Sequence, residues 1–338
     1  MKHIYNIVLI GCGHMGSVHL DDIYMMENVC IYGVVDTNEE RAKKFAKKYG
    51  AKSFDTSYER YLKDEKTDIV ICATYPDSHL EILKQCVKHK KHMLCEKPIA
   101  SNLKDAAEFV NIVKNAEIKV QIGYILRFNK TYQTVAKMIQ DGALGSPLII
   151  RMNQNHHIMD WKKYGALLEN ASPIVDCGIH YIDVCRWFTG GEITDTSGIA
   201  AKTDKEVPQN SYNYGMMTMR LSDGSIAYYE AGWGNTIAAD NLKEFIGPKG
   251  RIKITEREHR LTCQEEGDLI EYYRYPEKEY KTINVDCKRR PTGAQLEHLI
   301  RMIEENMPAI PSIDDVYTSL ETAVKTDMIL RKNYIKQG

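Results

Sequence analysis

The chain has 338 residues, with 45 Lys and Arg against 46 Asp and Glu, so its formal net charge is −1. This length predicts two domains. The balanced charge argues against nucleic acid and anionic membranes as partners, and no apolar run is long enough to span a membrane. We therefore expect a cytoplasmic protein whose nine cysteines, none in a CxxC pair, are reduced core residues.

The first predicted unit runs from Ile4 to Asp36. It contains a buried strand, the glycine-rich turn GCGHMG, a helix, a second apolar run and an acid. We expect Gly11 to permit the tight turn, Gly13 to let the backbone approach a pyrophosphate, and Gly16 to let the helix pack close to the strand. The helix N-terminus would then face the negative charge of a dinucleotide.

Asp36 ends the second apolar run, where a carboxylate can accept both hydroxyls of an adenine ribose. The same carboxylate would repel a 2′-phosphate, which favours NAD over NADP. Arg41 and the pair Lys43 and Lys44 could reach such a phosphate, although the solvated face of a helix is the preferred interpretation. The other predicted cofactor-binding residues of this unit are His14, Met15 and Thr37.

Strands and helices alternate through residue 125, which predicts a parallel sheet with helices on both faces. Residues 1–125 are therefore predicted to form an NAD-binding, doubly wound Rossmann domain. The predicted helices cover residues 38–49, 78–89 and 103–115, and the later strands cover 68–74, 92–95 and 118–124.

The pattern changes after a predicted helix over residues 131–141. Strands dominate from Pro147 onward, separated by turn sequences such as LSDGS and GPKGR. Residues 126–338 are therefore predicted to form an α+β domain with a large, mostly antiparallel open sheet. It is interrupted by one helix over 174–189 and closed by helices over 293–306 and 314–332, the last of which could pack back on the first domain.

Two groups suggest acid–base chemistry. Lys97, in EKP at the carboxyl end of a predicted parallel strand, could stabilise charge on a substrate oxygen, although a lone surface lysine is commoner. Asp176 and His180 lie four residues apart on one predicted helix, where the carboxylate could tune the imidazole for proton transfer. A helix-surface pair without function is the alternative. Gly178 between them indicates a close approach by backbone or ligand.

A metal site is not expected. Asp176, His180, His156 and His157 could be assembled into one, but they come from different elements. No HxH, HExxH or CxxC spacing supports it.

Four segments together resemble the Gfo/Idh/MocA family, the glucose-fructose oxidoreductase and inositol dehydrogenase group: GCGHMG, CEKP, DCGIHYIDVCRWFTG and IGPKGRI. The resemblance covers essentially the whole chain. It implies a Rossmann domain and a second domain whose open sheet packs against another subunit, giving a homodimer or homotetramer. It also implies oxidation of a sugar, cyclitol or related polyol hydroxyl, or the reverse reduction, with NAD or NADP.

The resemblance also implies the catalytic roles. His180 would take the hydroxyl proton as hydride leaves for the nicotinamide, Lys97 would hydrogen-bond the same oxygen, and Asp176 would orient His180 and the substrate. A cis peptide bond before Pro98 is implied as well.

One segment departs from the family pattern, because TYPDSH stands where TPNxxH is common. Thr74 and His79 are kept, whereas Tyr75 and Pro76 replace proline and asparagine. Thr74, His79 and Glu96 are predicted to contact the cofactor. The predicted substrate-binding residues are Tyr124, Arg127, Asn155, His157 and Trp161.

Each substrate prediction has a structural alternative. Arg127 could instead form a salt bridge, and Trp161 could anchor a loop rather than stack on a sugar ring. Two other functions also stay open: an NAD-dependent glycosidase of the same family, and a non-catalytic regulator that senses the dinucleotide. Retention of Lys97, Asp176 and His180 together argues against the regulator.

Overall fold

The computed structural model describes residues 3–157, 171–209, 211–260 and 266–335. The chain divides into two compact units. The first comprises residues 1–128 and 289–317, and the second comprises residues 129–288 and 318–338. Within the described ranges, every helix is too short or too polar to cross a membrane.

The first unit is built on six parallel strands in the order β3-β2-β1-β4-β5-β6. The order reverses between β1 and β4, and ligands of doubly wound folds bind beyond the carboxyl ends of the strands at such a point. The predicted Rossmann sheet is thus confirmed. Its strands are β1 (Tyr5–Ile10), β2 (Val29–Val35), β3 (Ser53–Asp55), β4 (Ile69–Cys72), β5 (His92–Cys95) and β6 (Val120–Ile122).

Ten α-helices lie in the described ranges, and most match the predicted segments within a few residues. Several begin at polar caps: Asn38, for example, accepts from the Arg41 amide at 3.0 Å, and Asn102 from the Asp105 amide at 2.9 Å. The helices are α1 (His14–Ile23), α2 (Glu39–Tyr49), α3 (Glu59–Lys63), α4 (His79–Lys88), α5 (Leu103–Asn115), α6 (Lys130–Gln140), α7 (Pro173–Asp176), α8 (Gly178–Thr189), α9 (Thr292–Glu305) and α10 (Ile313–Ile335).

Helix α9 completes the core of the first unit although it lies far along the chain. Leu296 and Leu299 join the buried cluster that includes Ile7 and Leu9 of β1. The start of α9 is fixed by Asp22, whose carboxylate accepts from the Gly293 amide at 2.8 Å. A segment beyond residue 288 is therefore an integral part of the dinucleotide-binding fold.

The second unit is built on eight strands in the order β14-β13-β12-β11-β7-β10-β9-β8. All neighbours pair antiparallel except β7 and β10, which run parallel, so the predicted mostly antiparallel sheet is confirmed. The strands are β7 (Ile149–His157), β8 (Ile193–Ala201), β9 (Tyr214–Leu221), β10 (Ile226–Gly234), β11 (Lys243–Gly247), β12 (Gly250–Thr255), β13 (Asp268–Arg274) and β14 (Glu279–Val285).

The two faces of this sheet differ. On one face, Tyr229 stacks on Tyr181 of α8 with ring centres 4.7 Å apart, and Phe245 packs against Phe188 at 5.0 Å. The other face carries exposed apolar side chains, among them Ile149 of β7, Ile226 of β10 and Ile199 of β8. This face also carries the Arg151–Glu244 ion pair, so only part of it is apolar, and exposed apolar side chains on such a part are typical of a surface that another protein covers.

The predicted single helix over residues 174–189 is wrong in one respect, because Cys177 divides it into α7 and α8. The amide of His180 bonds the carbonyl of Cys177 at 3.1 Å, one residue closer than an α-helix requires. At Gly178, a Cβ would lie 3.2 Å from the Tyr229 ring. The close approach that this glycine indicated is therefore made by an aromatic ring of the sheet.

Candidate active site

The glycine-rich turn follows β1, and its three glycines have different reasons to lack a side chain. Gly11 has a φ of +99°, and a Cβ there would lie 2.5 Å from the Ala73 carbonyl oxygen. A Cβ at Gly16 would lie 2.1 Å from the Gly11 carbonyl oxygen. At Gly13, by contrast, a Cβ would meet no atom within 4 Å. Two glycines thus serve packing, whereas the third leaves open space in front of the helix.

That open space lies at an N-terminus suited to an anion. Gly13 is the N-cap of α1, with no side-chain cap and no acidic residue in the first turn. The first amides of a helix have no partner within the helix, so they can bind a phosphate group. The turn therefore fits the pyrophosphate of a dinucleotide. Of the other predicted contacts here, His14 is exposed and Met15 is half-buried.

Arg290 is a candidate that the sequence analysis missed. Its guanidinium hydrogen-bonds Nε2 of His14 in the glycine-rich turn. This contact places a cation beside the N-terminus of α1, where it would add to the attraction for a pyrophosphate. The basic run KRRP was a visible signal, but its partner lies 276 residues earlier in the chain.

Asp36 ends β2 and is held by backbone donors. One carboxylate oxygen accepts from the Cys12 amide and the other from the Asn38 amide, both at 2.9 Å. Arg41 forms an ion pair with the same carboxylate at 3.4 Å. Burial and the charge of Asp36 raise the pKa of Cys12 to about 12, so this residue stays a thiol. The fixed carboxylate fits an adenine ribose, and the adjacent Thr37 is exposed.

The loop after β4 holds Thr74 and His79 in different environments. The Thr74 hydroxyl lies 2.7 Å from the Ser78 hydroxyl at a half-buried position. The His79 side chain is fully buried, with its ring nitrogens 3.0 Å from the Pro98 carbonyl and 3.2 Å from the Thr74 carbonyl. His79 therefore links the loop after β4 to the backbone at Pro98.

The EKP segment follows β5 at the same edge of the sheet. Glu96 is buried, and its carboxylate lies 2.8 Å from Nε2 of the equally buried His19. At least one Glu96 oxygen is therefore directed into the unit. Lys97 is half-buried, and the Lys97–Pro98 peptide bond is cis, as the family resemblance implied.

Tyr124 and Arg127 follow β6. The Tyr124 ring is almost wholly buried, and its hydroxyl donates to the Val316 carbonyl at 3.4 Å within the first unit. Arg127 is half-buried in a short 3₁₀ turn over Ile125–Phe128. Arg127 is thus accessible to a ligand, whereas Tyr124 is packed in the interior.

In the second unit, Asp176 ends α7 and His180 lies in the first turn of α8. Asp176 is half-buried, and its carboxylate accepts a weak hydrogen bond from the Cys177 thiol at 3.5 Å. His180 is about nine-tenths buried, with 9% of its surface exposed. The shortened turn at Cys177 therefore lies between the two residues.

The remaining predicted substrate contacts come from β7 and the segment after it. Asn155 is buried and donates to Glu230 at 2.6 Å, so its amide is fixed by the sheet. His157 is exposed, with Nδ1 3.2 Å from the Ile237 carbonyl. Trp161 lies outside the described residues.

Lys243 of β11 is a second residue that the sequence analysis missed. It is fully buried, its ammonium donates to the Asn153 carbonyl at 2.5 Å, and it also bonds the Asn241 side chain. The same ammonium lies 4.6 Å from the centre of the Tyr181 ring, next to His180 in sequence. A lysine inside the apolar strand LKEFIG was the available signal, since buried lysines are rare unless paired.

Comparison with known proteins points to one family for both parts of the chain. Residues 5–124 match the profile of an oxidoreductase family with an NAD-binding Rossmann fold, and residues 132–253 match the GFO/IDH/MocA C-terminal domain. A curated relative, the myo-inositol 2-dehydrogenase of Thermotoga maritima, is 24% identical over 274 residues, covering 80% of this chain and 81% of that protein.

Two solved structures share the fold over almost the full length of both chains. The aldose-aldose oxidoreductase of Caulobacter crescentus, solved with glycerol, superposes with a TM-score of 0.84 at 20% identity, covering 98% of each chain. The scyllo-inositol dehydrogenase of Lactobacillus casei, solved with NAD(H) and scyllo-inositol, gives 0.77 at 21% identity and the same coverage. With two profiles of one family matched in order along most of its length, the chain belongs to the Gfo/Idh/MocA family of NAD-binding oxidoreductases.

Proposed function

We propose that this protein transfers hydride between a hydroxyl of a cyclitol, sugar or related polyol and the nicotinamide of NAD. The observation that carries the proposal is the arrangement at the carboxyl edge of the first sheet. The uncapped N-terminus of α1 and the anchored Asp36 fit the dinucleotide, and Lys97 follows β5 at the same edge. The myo-inositol and scyllo-inositol dehydrogenases among the relatives support the substrate class.

We assign three residues to the chemistry. When bound, NAD supplies the hydride acceptor. His180 takes the proton of the substrate hydroxyl, because a neutral imidazole is a suitable base near neutral pH. Lys97 donates a hydrogen bond to the same oxygen and stabilises its developing negative charge. Asp176 orients His180 and the substrate.

We assign NAD rather than NADP as the cofactor because of Asp36. Its carboxylate is fixed at the end of β2, where it would meet the ribose hydroxyls and repel a 2′-phosphate. Arg41, Lys43 and Lys44 are the residues that would favour NADP, but the guanidinium of Arg41 is engaged by the same carboxylate.

We also propose a homodimer or homotetramer assembled through the open face of the second sheet. The support is the exposure of Ile149, Ile199 and Ile226 on β7, β8 and β10 of this sheet. Light scattering of the purified protein tests this proposal, and a monomer at micromolar concentration would contradict it.

The function is tested by NAD(P)H absorbance at mildly alkaline pH. NAD and NADP are supplied separately with myo-inositol, scyllo-inositol, hexoses, sugar acids and sugar phosphates. We expect NADH formation with one polyol class, loss of turnover in Lys97→Ala, and no loss in the matched control Lys104→Ala, which alters an exposed lysine of α5.

Two other outcomes reject the dehydrogenase. Release of an aryl group from an aryl glycoside that needs NAD but forms no net NADH would identify a glycosidase. NAD binding without turnover of any compound, unchanged by Lys97→Ala, would identify a dinucleotide sensor.

A further inference from the structure

Three buried side chains meet beneath the loops that carry Thr74 and Lys97. Cys72 ends β4 and Cys95 ends β5, and the two residues are paired in the sheet. His79 begins α4. All three side chains are fully buried, and one sulfur or ring nitrogen of each lies within 4.8 Å of the others. This cluster has no part in the chemistry proposed above.

The hydrogen bonds of His79 indicate its protonation state. Nδ1 lies 3.0 Å from the Pro98 carbonyl, and Nε2 lies 3.2 Å from the Thr74 carbonyl. A carbonyl oxygen only accepts, whereas a neutral imidazole donates from one nitrogen and not from the other. Both contacts are therefore satisfied only by the doubly protonated imidazolium.

A buried imidazolium needs a nearby anion, and Cys72 is placed to be that anion. Burial alone would raise the pKa of Cys72, but a hydrogen bond from Cys95 and the charge of His79 hold it well below its ordinary value. Thr74 contributes its hydroxyl, 3.4 Å from the sulfur. Burial alone would lower the pKa of His79, and the charge of Cys72 raises it above its ordinary value.

Cys95 stays a thiol, since burial and the hydrogen bond to Cys72 raise its pKa well above the ordinary value. Its S–H is shared with the Glu96 carbonyl, 3.4 Å away. The other titratable groups that act on the cluster are Tyr58, Cys86 and Glu96.

We propose that Cys72 and His79 form a buried thiolate–imidazolium pair that positions Thr74 and Lys97 for hydride transfer. The thiol proton of Cys72 resides on His79, so the pair is neutral overall. The imidazolium then holds the Thr74 carbonyl and the Pro98 carbonyl at once, which ties the loop after β4 to the residue that follows Lys97. Cys72 and His79 are thus positioning residues, and this role rests on the proposed function.

The same three side chains could be considered for a metal ion, because two sulfurs and an imidazole suit zinc. The ion pair accounts better for the geometry, since both His79 nitrogens lie at hydrogen-bond distance from carbonyl oxygens, and a ring that donates to both has no lone pair for a metal. Elemental analysis of the purified protein separates the two, and stoichiometric zinc that is absent from Cys72→Ser would overturn the ion pair.

The ion pair itself is tested by the ultraviolet absorbance of the thiolate. We expect the wild type to show one thiolate at about pH 7 that disappears only on acidification, well below the ordinary thiol range near pH 8.5. Cys72→Ser should lose this signal. The matched control Cys86→Ser should keep it, because Cys86 is a buried thiol of α4 whose pKa is raised by burial. A wild type without thiolate absorbance below about pH 8 would overturn the pair.

The positioning role is tested in Cys72→Ser and His79→Asn. We expect kcat to fall about 10- to 100-fold with little change in the Kd for NAD, because a misplacement of about 1 Å can cost on the order of 100-fold in rate. Amide hydrogen exchange should quicken in residues 74–79 and 96–101 in both variants, and not in Cys86→Ser. Unchanged kcat and exchange after loss of the thiolate would overturn the positioning role.

These readouts separate the two proposals. Suppose that the wild type turns over no polyol but shows the thiolate, and that amide exchange quickens in the two variants as expected. The hydride-transfer function then fails, whereas the Cys72–His79 pair and its link between the two loops stand. If the wild type turns over a polyol but shows no thiolate, the function stands and the pair fails. Should Cys72→Ser not fold, the wild-type titration still decides the pair.

Discussion

Substitution of Gly13 by alanine should weaken cofactor binding while leaving the stability of the fold nearly unchanged. The backbone at Gly13 has a φ of −87° and a ψ of −159°, which alanine adopts, and the added Cβ meets no protein atom within 4 Å. The methyl group would instead occupy the open space in front of α1, where the pyrophosphate is expected. A neighbouring variant, Gly16→Ala, places its Cβ 2.1 Å from the Gly11 carbonyl oxygen and serves as the contrast.

The magnitudes follow from these contacts. In Gly13→Ala, a gain of about 0.4–1 kcal/mol from the stiffer unfolded chain roughly offsets the loss of a favourable N-cap residue, about 1 kcal/mol. The melting temperature should therefore change by less than about 4 °C. Loss of one amide hydrogen bond to a charged phosphate removes about 1.5–3 kcal/mol, so the Kd for NAD should rise about 10- to 150-fold. Gly16→Ala should destabilise the fold by about 1–3 kcal/mol through overpacking.

Isothermal titration with NAD and thermal unfolding without cofactor measure the two effects separately. Titration with adenosine, which has no phosphate, is the control and should give the same affinity in the wild type and Gly13→Ala. The reasoning would be refuted if Gly13→Ala bound NAD as tightly as the wild type, or if it lost as much stability as Gly16→Ala.

Three further substitutions test the other parts of the site. Lys97→Ala should lower kcat by about 100-fold or more, since acid–base groups contribute about 10²–10⁴-fold, with the Kd for NAD unchanged; full activity would remove Lys97 from the chemistry. Asp36→Asn removes the charge that repels a 2′-phosphate and releases Arg41. The ratio of kcat/KM with NADP to kcat/KM with NAD should therefore rise about tenfold or more, and an unchanged ratio would argue that Asp36 does not select the cofactor. Arg290→Ala should raise the Kd for NAD about tenfold while the adjacent Arg289→Ala has little effect, and equal effects in the two variants would show a general loss of positive charge.

Hydrophobic periodicity predicted most of the architecture because it depends on local sequence. The strand–turn–helix unit around Gly11 and the change to strands after Pro147 each follow from patterns shorter than about 20 residues. The bounds of the predicted helices differ by up to three residues, since helix ends are set by caps and fraying rather than by the apolar pattern. The division of the predicted helix at Cys177 was not foreseen, because it coincides with a contact between Gly178 and Tyr229 of the sheet, and no local sequence pattern encodes such a contact.

The candidate site was less predictable, because the sequence gives residue types but not the direction of side chains. His79, Glu96 and Tyr124 lie in the expected loops, yet each has at least one polar atom that bonds a group inside the first unit. The partner of Glu96 is 77 residues earlier, and that of Tyr124 is 192 residues later. Arg290 escaped notice for the same reason, since its importance depends on a fold that brings distant segments together.

Helix α9 has a consequence for how the chain is made. The core around β1 includes Leu296, Leu299, Ile300 and Met302, and none of these exists on a ribosome that has reached only residue 288. Until then, the first unit lacks the apolar side chains of α9 and leaves the surface that they cover exposed, and exposed apolar surface of this kind promotes aggregation. A chain that stops before residue 289 should therefore neither bind the cofactor nor stay soluble. Cofactor binding should become possible only after residues 129–288 of the second unit have been synthesised.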